Sequence, residues 1–395
     1  MSRTEFVALI AMMFATIAFS VDAMLPALPE IGATLSPDAV NRAQLVVTSF
    51  ILGMGLGTFV TGPLSDSFGR KPVVLAGAAL YIAGALTAAL AQKMEILLAA
   101  RLVQGLGAAG PRVVALAIIR DLYAGREMAK IMSFVMLIFT LVPALAPSLG
   151  ALIIAVSSWR GVFVAFIVFS LTFCLWLGLR FTETLPPDQR RPFRVAALMA
   201  GVRELFAHPV VRRSIMVQSL VFGVLFSVIS STQQVFDETF GRAAQFPLWF
   251  GGMAVVASSS NLINAALVGR LGMRRMVTAA ISFQVIMSAI FVAVWLIGLP
   301  ATLTFGLYVL WQTSVFFQVG MTAGNLNAIA MEPVGHIAGM AASIIGAVST
   351  VAAVMLAAPV GLMFDGTPLP LTVAVLAQNA LALVLLMSMA ETQRA

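Results

Sequence analysis

The chain has 395 residues, of which 61% are hydrophobic and 10% are charged, and its formal net charge is +7. A soluble domain usually carries about 25% charged and 45 to 50% apolar residues, so a water-soluble fold could not bury this much apolar surface, and no room is left for a soluble domain of any size. The positive charge could indicate nucleic-acid binding, but most Lys and Arg residues lie in short intervals on one side of long apolar segments, as in membrane proteins with basic cytoplasmic loops.

Apolar segments long enough to cross a bilayer recur along the whole chain. A spanning helix needs about 20 apolar residues. The predicted spans are 5–26, 43–64, 72–92, 96–118, 131–155, 161–181, 210–234, 246–268, 275–297, 301–326, 337–362 and 368–390. The basic residues then concentrate on the side of the N-terminus, so both termini are predicted to be cytoplasmic. The first segment lacks a small-residue cleavage site, so we interpret it as a helix and not as a signal peptide.

The first span contains an acid, Asp22. Ionisable groups at membrane depth are costly and are functional by default. A rise of ~1.5 Å per residue places Asp22 roughly 25 Å from Glu5, near the outer side. A buried aspartate that exchanges partners is the minimum apparatus for proton coupling, whereas in the headgroup region it would only solvate a helix end. Met12, Met13 and Met24 either line a cavity that adapts to apolar ligands or pack in the core.

The connection after the second span combines a tight turn with charge. It reads Gly62-Pro63-Leu64-Ser65-Asp66-Ser67-Phe68-Gly69-Arg70-Lys71-Pro72. Two glycines, one acid and two bases at the inner mouth predict an ion-pair latch, which Asp121 at the cytoplasmic end of the fourth span can join. The alternative is a generic basic loop.

The fourth span contains two arginines, Arg101 and Arg112. The helical rise places Arg101 roughly 9 Å below the outer surface, where it can meet Asp22. We expect it either to take part in coupling or to brace helices by hydrogen bonds. Arg112 lies roughly 25 Å in from Glu95, is a poorer partner for Asp22, and can snorkel to the inner surface.

The rest of the chain gives little sign of metal or redox chemistry. Cys174 is the only cysteine, and His208 and His336 lie in connections without ligand-like spacing, so no disulfide, metal site or cofactor is predicted. The only long polar interval separates six spans from six. The predicted divisions are an N-terminal six-helix bundle at 1–182, a cytoplasmic linker at 183–209 and a C-terminal six-helix bundle at 210–395.

Uncharged polar residues lie within the eighth and tenth spans. They either bind substrate or hydrogen-bond one helix to another. These candidates for a substrate cavity are Asn261, Asn264, Gln312, Gln318 and Asn325.

The loop after the second span resembles the signature loop of the major facilitator superfamily, Gly-x-Leu-x-Asp-x-x-Gly-Arg-Lys. The segment Arg101-Leu102-Val103-Gln104-Gly105-Leu106-Gly107-Ala108-Ala109 resembles that superfamily's fourth-helix motif, whose arginine is tied to proton coupling. Four further segments are similar to the bicyclomycin and chloramphenicol resistance (Bcr/CflA) branch of drug:proton antiporters. They are Asp22 with its Leu-Pro-Ala-Leu-Pro tail, Ile119-Arg120-Asp121-Leu122-Tyr123, Trp159-Arg160 and Thr182-Glu183-Thr184-Leu185.

The resemblance implies an all-α membrane protein with the major facilitator fold, in which twelve transmembrane helices form two six-helix bundles related as parallel repeats. An echo of Gly69 at Gly272, 203 positions later, fits such a repeat (272 − 69 = 203). The resemblance also implies that Asp22 carries the proton, that Arg101 modulates it, and that Asp66, Arg70 and Asp121 form a gating latch. The fifth-helix antiporter motif, Gly-x-x-x-Gly-Pro-x-x-Gly-Gly, is only partly present here. Its positions include Pro143, Pro147 and Gly150.

The predicted function is export of small, largely apolar drugs across the bacterial inner membrane in exchange for protons, by a functional monomer that binds no nucleic acid. One alternative is a proton-coupled exporter or importer of a metabolite such as a sugar or amino acid, which would call for more charged or hydrogen-bonding groups than these spans contain. The other is a membrane-embedded enzyme, which would need clustered His, Asp or Cys residues at one depth.

Overall fold

A computed structural model describes residues 1–392, apart from the side chains of residues 129, 139, 140, 197 and 389–392. Every element of regular secondary structure in that range is helical. The α-helices are α1 Arg3–Asp22, α2 Leu28–Leu35, α3 Leu45–Phe68, α4 Arg70–Ala89, α5 Met94–Leu122, α6 Gly125–Val156, α7 Trp159–Arg180, α8 Val195–Ala207, α9 Pro209–Gln234, α10 Phe246–Leu271, α11 Met273–Ile297, α12 Ala301–Met331, α13 Ala338–Leu362 and α14 Leu369–Thr392. Residues 393–395 of the predicted C-terminal bundle lie outside the described residues.

The described helices account for twelve membrane crossings. Eleven stretches are long and apolar enough to span a bilayer, and one of them, Ala301–Leu362, has 62 residues and contains both α12 and α13. The prediction of an all-α membrane protein with twelve spans is therefore confirmed. The predicted ends differ from the observed ones, because several helices continue past the apolar stretch from which they were predicted: α6, for example, begins at Gly125 and not at residue 131.

The first span is broken where the sequence predicts a continuous helix. α1 ends at Asp22, a 3₁₀ turn follows at Leu25–Ala27, and α2 begins at Leu28. Pro26 and Pro29 each lie in the first positions of a new helical element. Proline has no backbone N–H to donate to the preceding turn, so it ends one helix and starts the next. Asp22 therefore lies at a helix end, where the last carbonyl groups lack intrahelical donors.

The chain separates into two compact units, one from Met1 to Leu198 and one from Met199 onward. We call them the N-terminal unit and the C-terminal unit. In the N-terminal unit α5 runs along α3 and α4, while α1 packs against α6. In the C-terminal unit α9 packs against α12, α13 and α14. The boundary falls within α8, which lies inside the interval 183–209 that the sequence predicts as a linker between the bundles.

Small residues bring α3 and α5 into close contact. A Cβ atom added to Gly53 would overlap the backbone of Leu102, and one added to Gly105 would overlap the carbonyl of Phe50. Small residues are favoured at such membrane helix contacts because they let the backbones approach. The contact fixes the start of α5, and with it Arg101, against α3.

Candidate functional site

The turn between α3 and α4 has a backbone conformation that favours glycine. Gly69 has φ = 102°, a region that other residues rarely adopt. There is also no room for a side chain, because a Cβ atom would lie 2.6 Å from the carboxylate of Glu183. Gly62 lies six residues before the end of α3, and its carbonyl accepts a hydrogen bond of 2.9 Å from the Ser65 hydroxyl.

Arg70 is the centre of a set of ion pairs at this turn. Its Nη1 donates to Asp66 Oδ1 at 2.6 Å and to Ser65 Oγ at 2.8 Å. Its Nε donates to Asp121 Oδ2 at 2.8 Å. Only 5% of the Arg70 side chain is exposed, so these pairs are less screened than surface pairs. The ion pairs predicted for Asp66, Arg70 and Asp121 are therefore present, and they tie α3, α4 and α5 together.

Glu183 is a member of this site that sequence reasoning did not place there. Its carboxylate accepts hydrogen bonds from the backbone N–H groups of Arg70 at 2.9 Å and Lys71 at 3.0 Å. These are free donors at the start of α4, where a negative charge also interacts favourably with the helix dipole. The signal in the sequence is the Thr182-Glu183-Thr184-Leu185 segment just after the sixth span, and nothing in its spacing shows that Glu183 reaches the signature loop.

The chain after α7 is fastened to the same turn. Lys71 Nζ donates to the carbonyls of Gly178 and Phe181 at 2.8 and 2.7 Å, at the end of α7. The Thr184 hydroxyl donates to Asp121 Oδ2 at 3.2 Å, and the Arg191 N–H donates to the Asp66 carbonyl at 3.0 Å. The latch of the N-terminal unit thus includes the segment 183–191 as well as the loop. We call this whole set of contacts the inner latch.

Arg101 is fully buried near the opposite end of α5. Its guanidinium donates to three acceptors: the Ser20 carbonyl at 3.0 Å, the Val46 carbonyl at 3.1 Å and Gln104 Oε1 at 2.8 Å. The guanidinium carbon also lies 4.4 Å from the centroid of the Phe50 ring, a cation–π contact. Arg101 therefore joins α1, α3 and α5.

Asp22 is buried, with a relative exposure of 5%. The expectation that it would meet Arg101 is not fulfilled as an ion pair, since none of the ion pairs among the described side chains includes Asp22. Arg101 instead binds the Ser20 carbonyl, two residues before Asp22. The physical reason is the break in α1, which leaves that carbonyl without an intrahelical donor. Arg101 thus holds the backbone of the segment that carries Asp22.

The fifth-helix motif contacts the same segment. α6 continues through both Pro143 and Pro147, and Gly150 lies against the backbone of Ala23, where an added Cβ atom would overlap the carbonyl oxygen. Gly150 is therefore needed for α6 to approach the end of α1. The motif position that this chain retains as glycine is the one that packs next to Asp22.

The three methionines of the first span, predicted either to line a cavity or to pack in the core, differ in their positions. Met13 and Met24 are fully buried, and Met13 belongs to the apolar core of the N-terminal unit, so both pack as core residues and the cavity alternative is not supported for them. Met12 is half-buried and lines a groove of about 490 Å³ between α1 and α7, together with Phe19 and Phe169.

The polar residues of the C-terminal unit mainly connect helices. Asn325 Nδ2 donates to Asn264 Oδ1 at 2.7 Å, joining α12 to α10. Gln312 Nε2 donates to Thr232 Oγ1 at 2.7 Å, joining α12 to α9. Gln318 Nε2 donates to Asn379 Oδ1 on α14, while Asn261 is exposed on α10. The helix-to-helix alternative thus describes Asn264, Asn325, Gln312 and Gln318 in this structure.

Comparison with known proteins agrees with this arrangement. The sequence model of the Major Facilitator Superfamily matches residues 8–358. The chain belongs to this superfamily. It is accordingly a multi-pass membrane transporter of small molecules, and the membrane-enzyme alternative is excluded.

Similar proteins are found both by sequence and by structure. The chain is 32% identical over 339 residues to a bicyclomycin resistance protein homologue of Haemophilus influenzae, an alignment that covers 84% of this chain and 82% of that protein. It is 30% identical over 341 residues to the MFS-type transporter YdgK of Bacillus subtilis, covering 83% and 81%. Over a shorter region of 143 residues, 36% of this chain and 34% of the relative, it is 36% identical to a chloramphenicol resistance protein of Pseudomonas aeruginosa. A crystal structure of a D-xylose-proton symporter has the same fold, with a TM-score of 0.77 and 15% identity over 96% of this chain and 97% of that one.

Proposed function

We propose that this major facilitator protein exports small, largely apolar drugs from the cytoplasm across the bacterial inner membrane in exchange for protons. The observation that carries the proposal is Asp22, a buried carboxyl at a broken helix end with no charged partner among the described side chains. A carboxylate without a counter-charge is costly to hold out of water, so such a group readily exchanges between a protonated and an ionised form. The names of the relatives, which include bicyclomycin and chloramphenicol resistance proteins, support a drug as the cargo.

In this proposal Asp22 carries one proton per cycle and Arg101 is a positioning residue. Arg101 already has three neutral acceptors, so it holds the end of α1 in place without neutralising Asp22. When cargo enters, its contacts favour the ionised carboxyl and the proton leaves. When the cargo departs, the carboxyl takes up another proton from the opposite side.

The inner latch serves as a gate in the same proposal. Alternating access requires that one end of the transporter opens while the other closes. A cluster of pairs around Arg70 that ties together α3, α4 and α5 gives the inner end a discrete locked arrangement. Its rearrangement would then limit the rate of turnover.

The remaining features of the proposal concern topology and assembly. Both termini lie in the cytoplasm, the N-terminal bundle occupies 1–182, the linker 183–209 and the C-terminal bundle 210–395, and a single chain is the functional unit. The excess of Lys and Arg in the intervals on the side of the N-terminus supports this orientation.

Everted membrane vesicles test the coupling. We expect chloramphenicol or bicyclomycin to release protons from acidified vesicles that contain the wild-type chain, and Asp22→Asn to abolish that release while the protein still inserts and folds. Glu30→Gln is the matched control, because Glu30 is an exposed acid on α2 and its loss leaves Asp22 in place. Normal release by Asp22→Asn would eliminate Asp22 as the carrier, and a wild-type chain that releases no protons with any of a panel of drugs would contradict drug:proton exchange.

A further inference from the structure

Arg112 is a charged residue within the fourth predicted span that takes no part in the proposed transport cycle. It stands on α5 four residues beyond the middle of that helix, roughly 6 Å along the axis. Its side chain is exposed. Among the side chains that the structure describes, its guanidinium makes no hydrogen bond, ion pair or aromatic contact. All five of its donor hydrogens therefore remain available for binding.

Arg101, the other arginine within the fourth predicted span, has a structural role. Arg101, eleven residues earlier, is fully buried and donates to three acceptors on three helices. Arg112 lies on the same membrane helix, and in the described part of the chain it braces nothing. A bracing function therefore explains Arg101 and leaves Arg112 unexplained.

The face of α5 that carries Arg112 is apolar nearby and has a second arginine two turns further on. Leu116 and Arg120 are exposed one and two turns further along, on the same face of the helix. The positions three and four residues away on either side, where a helix would place a neutralising acid, are Ala108, Ala109, Ala115 and Leu116. Asp121, the acid at the end of the helix, is already paired with Arg70.

A charged residue at this depth normally faces a water-filled cavity or a substrate pathway, because lipid exposure is costly. A guanidinium offers parallel N–H donors that match the two oxygens of a carboxylate, sulfonate or phosphate. We propose that Arg112 recognises an anionic group of the transported substrate, so that this transporter accepts apolar compounds bearing one negative charge in addition to neutral ones. This inference rests on the proposed drug export, and it concerns the substrate class only.

A pair of probes that differ in one charged group tests the proposal. Chloramphenicol is neutral, and its succinate ester carries a carboxylate. We expect the purified full chain in phosphatidylcholine nanodiscs to bind the ester roughly tenfold more tightly than the parent, the scale expected for one charge-assisted pair. Arg112→Gln should abolish this preference and leave the affinity for the parent within about twofold. Arg126→Gln is the control, since it removes an exposed arginine from α6 of the same unit.

The outcomes separate this inference from the proposed function. Equal affinity of the wild-type chain for the two probes, or a preference that survives in Arg112→Gln, overturns the role of Arg112 while leaving drug export untouched. Failure of the wild-type chain to bind either probe overturns the role of Arg112, and absent efflux of every drug in a panel overturns the proposed function as well. If Arg112→Gln does not fold, Arg112→Met replaces it, because methionine removes the charge and keeps a long flexible side chain, and an undiminished preference in that variant contradicts the proposal.

A lipid phosphate has the same chemistry as the proposed substrate group. Nanodiscs that contain phosphatidylglycerol provide the second arm of the test. If Arg112→Gln weakens retention of phosphatidylglycerol and changes neither affinity for the probes, then Arg112 binds lipid and the proposal is wrong.

Discussion

The contacts of Ser20 and Arg101 depend on where α1 ends. Ser20 lies in the last turn of α1, so its carbonyl has no intrahelical donor, and Arg101 supplies one from another helix. The Ser20 hydroxyl is engaged as well, at 2.6 Å from the hydroxyl of Tyr81. The broken end of α1 is thus supported on two sides, and the buried carboxyl of Asp22 follows immediately. In the proposed cycle the proton carrier is thereby held by neighbours that do not neutralise its charge.

Replacing Arg101 tests this support at the residue scale. We expect Arg101→Met to lower the thermal unfolding temperature in detergent by several degrees, because three buried acceptors lose their donor and each unsatisfied group costs about 1–3 kcal/mol. Arg101→Lys should recover only part of the loss, since one ammonium cannot reproduce the geometry of the guanidinium.

Arg42→Met is the matched comparison for this test. Arg42 pairs with Glu95 at 2.7 Å, but both side chains are exposed, and exposed pairs contribute about 0–1 kcal/mol. An unfolding temperature of Arg101→Met no lower than that of Arg42→Met would show that the three hydrogen bonds are not needed for the fold.

Pairs of helices in this chain are held at distances that depend on glycine. α6 reaches the end of α1 only because Gly150 has no side chain. We expect Gly150→Ala to reduce both the unfolding temperature and the drug-driven proton release, since the added methyl group pushes α6 away from Ala23 or shifts the turn beside Asp22. Overpacking of this kind typically costs 1–3 kcal/mol.

Gly178→Ala is the control for the helix contact. Gly178 lies within α7, and an added Cβ atom there has no neighbour within 4 Å. Alanine in a helix is favoured over glycine by about 1 kcal/mol, so this variant should be as stable as the wild type or more so. Equal behaviour of the two variants would contradict a role for the close contact.

The cap on α4 gives a second test at the scale of elements. Glu183→Gln keeps the size of the side chain but removes the charge that faces the N–H groups of Arg70 and Lys71. We expect a loss of about 1 kcal/mol in the free energy of unfolding, the usual value of such a cap, measured by denaturant titration. Asp188→Asn is the control, because Asp188 is an exposed acid of the same connection; an equal loss there would show that the effect is not due to capping.

The sequence predicts the repeated elements of the whole molecule better than their contacts. Apolar length alone gives twelve spans, and the glycines and charges of the signature loop predict the pairing of Arg70 with Asp66 and Asp121. Two contacts, those of Glu183 and of Arg101, could not be predicted from the sequence, for different physical reasons. Glu183 reaches α4 across a sequence separation of 113 residues, which no local pattern encodes. The partner of Arg101 depends on the break in α1, since a continuous helix would have left Asp22 as its most plausible acceptor.

We expect the inner latch to affect the rate of turnover more than it affects the affinity for cargo. The Asp66 carboxylate accepts a hydrogen bond from Arg70, and the Asp66 carbonyl accepts one from Arg191; among the described residues no hydrogen bond joins Asp66 to Asp22. Asp66→Ala removes one of the two carboxylates that hold Arg70 and leaves the other, Asp121, in place. The locked arrangement is then destabilised, so the two access states are no longer balanced and the cycle slows.

The measurement compares the rate of proton release with the affinity for chloramphenicol on the same preparation. We expect Asp66→Ala to lower the rate of drug-driven proton release in everted vesicles by roughly tenfold, equivalent to about 1.4 kcal/mol, while the equilibrium affinity for chloramphenicol changes by less than about twofold. Glu127→Ala is the control, because Glu127 also pairs with an arginine of the same unit, Arg3 at 3.2 Å, but both side chains are exposed. A loss of affinity as large as the loss of rate would mean that Asp66 supports the cargo site itself, and the gating role of the latch would have to be given up.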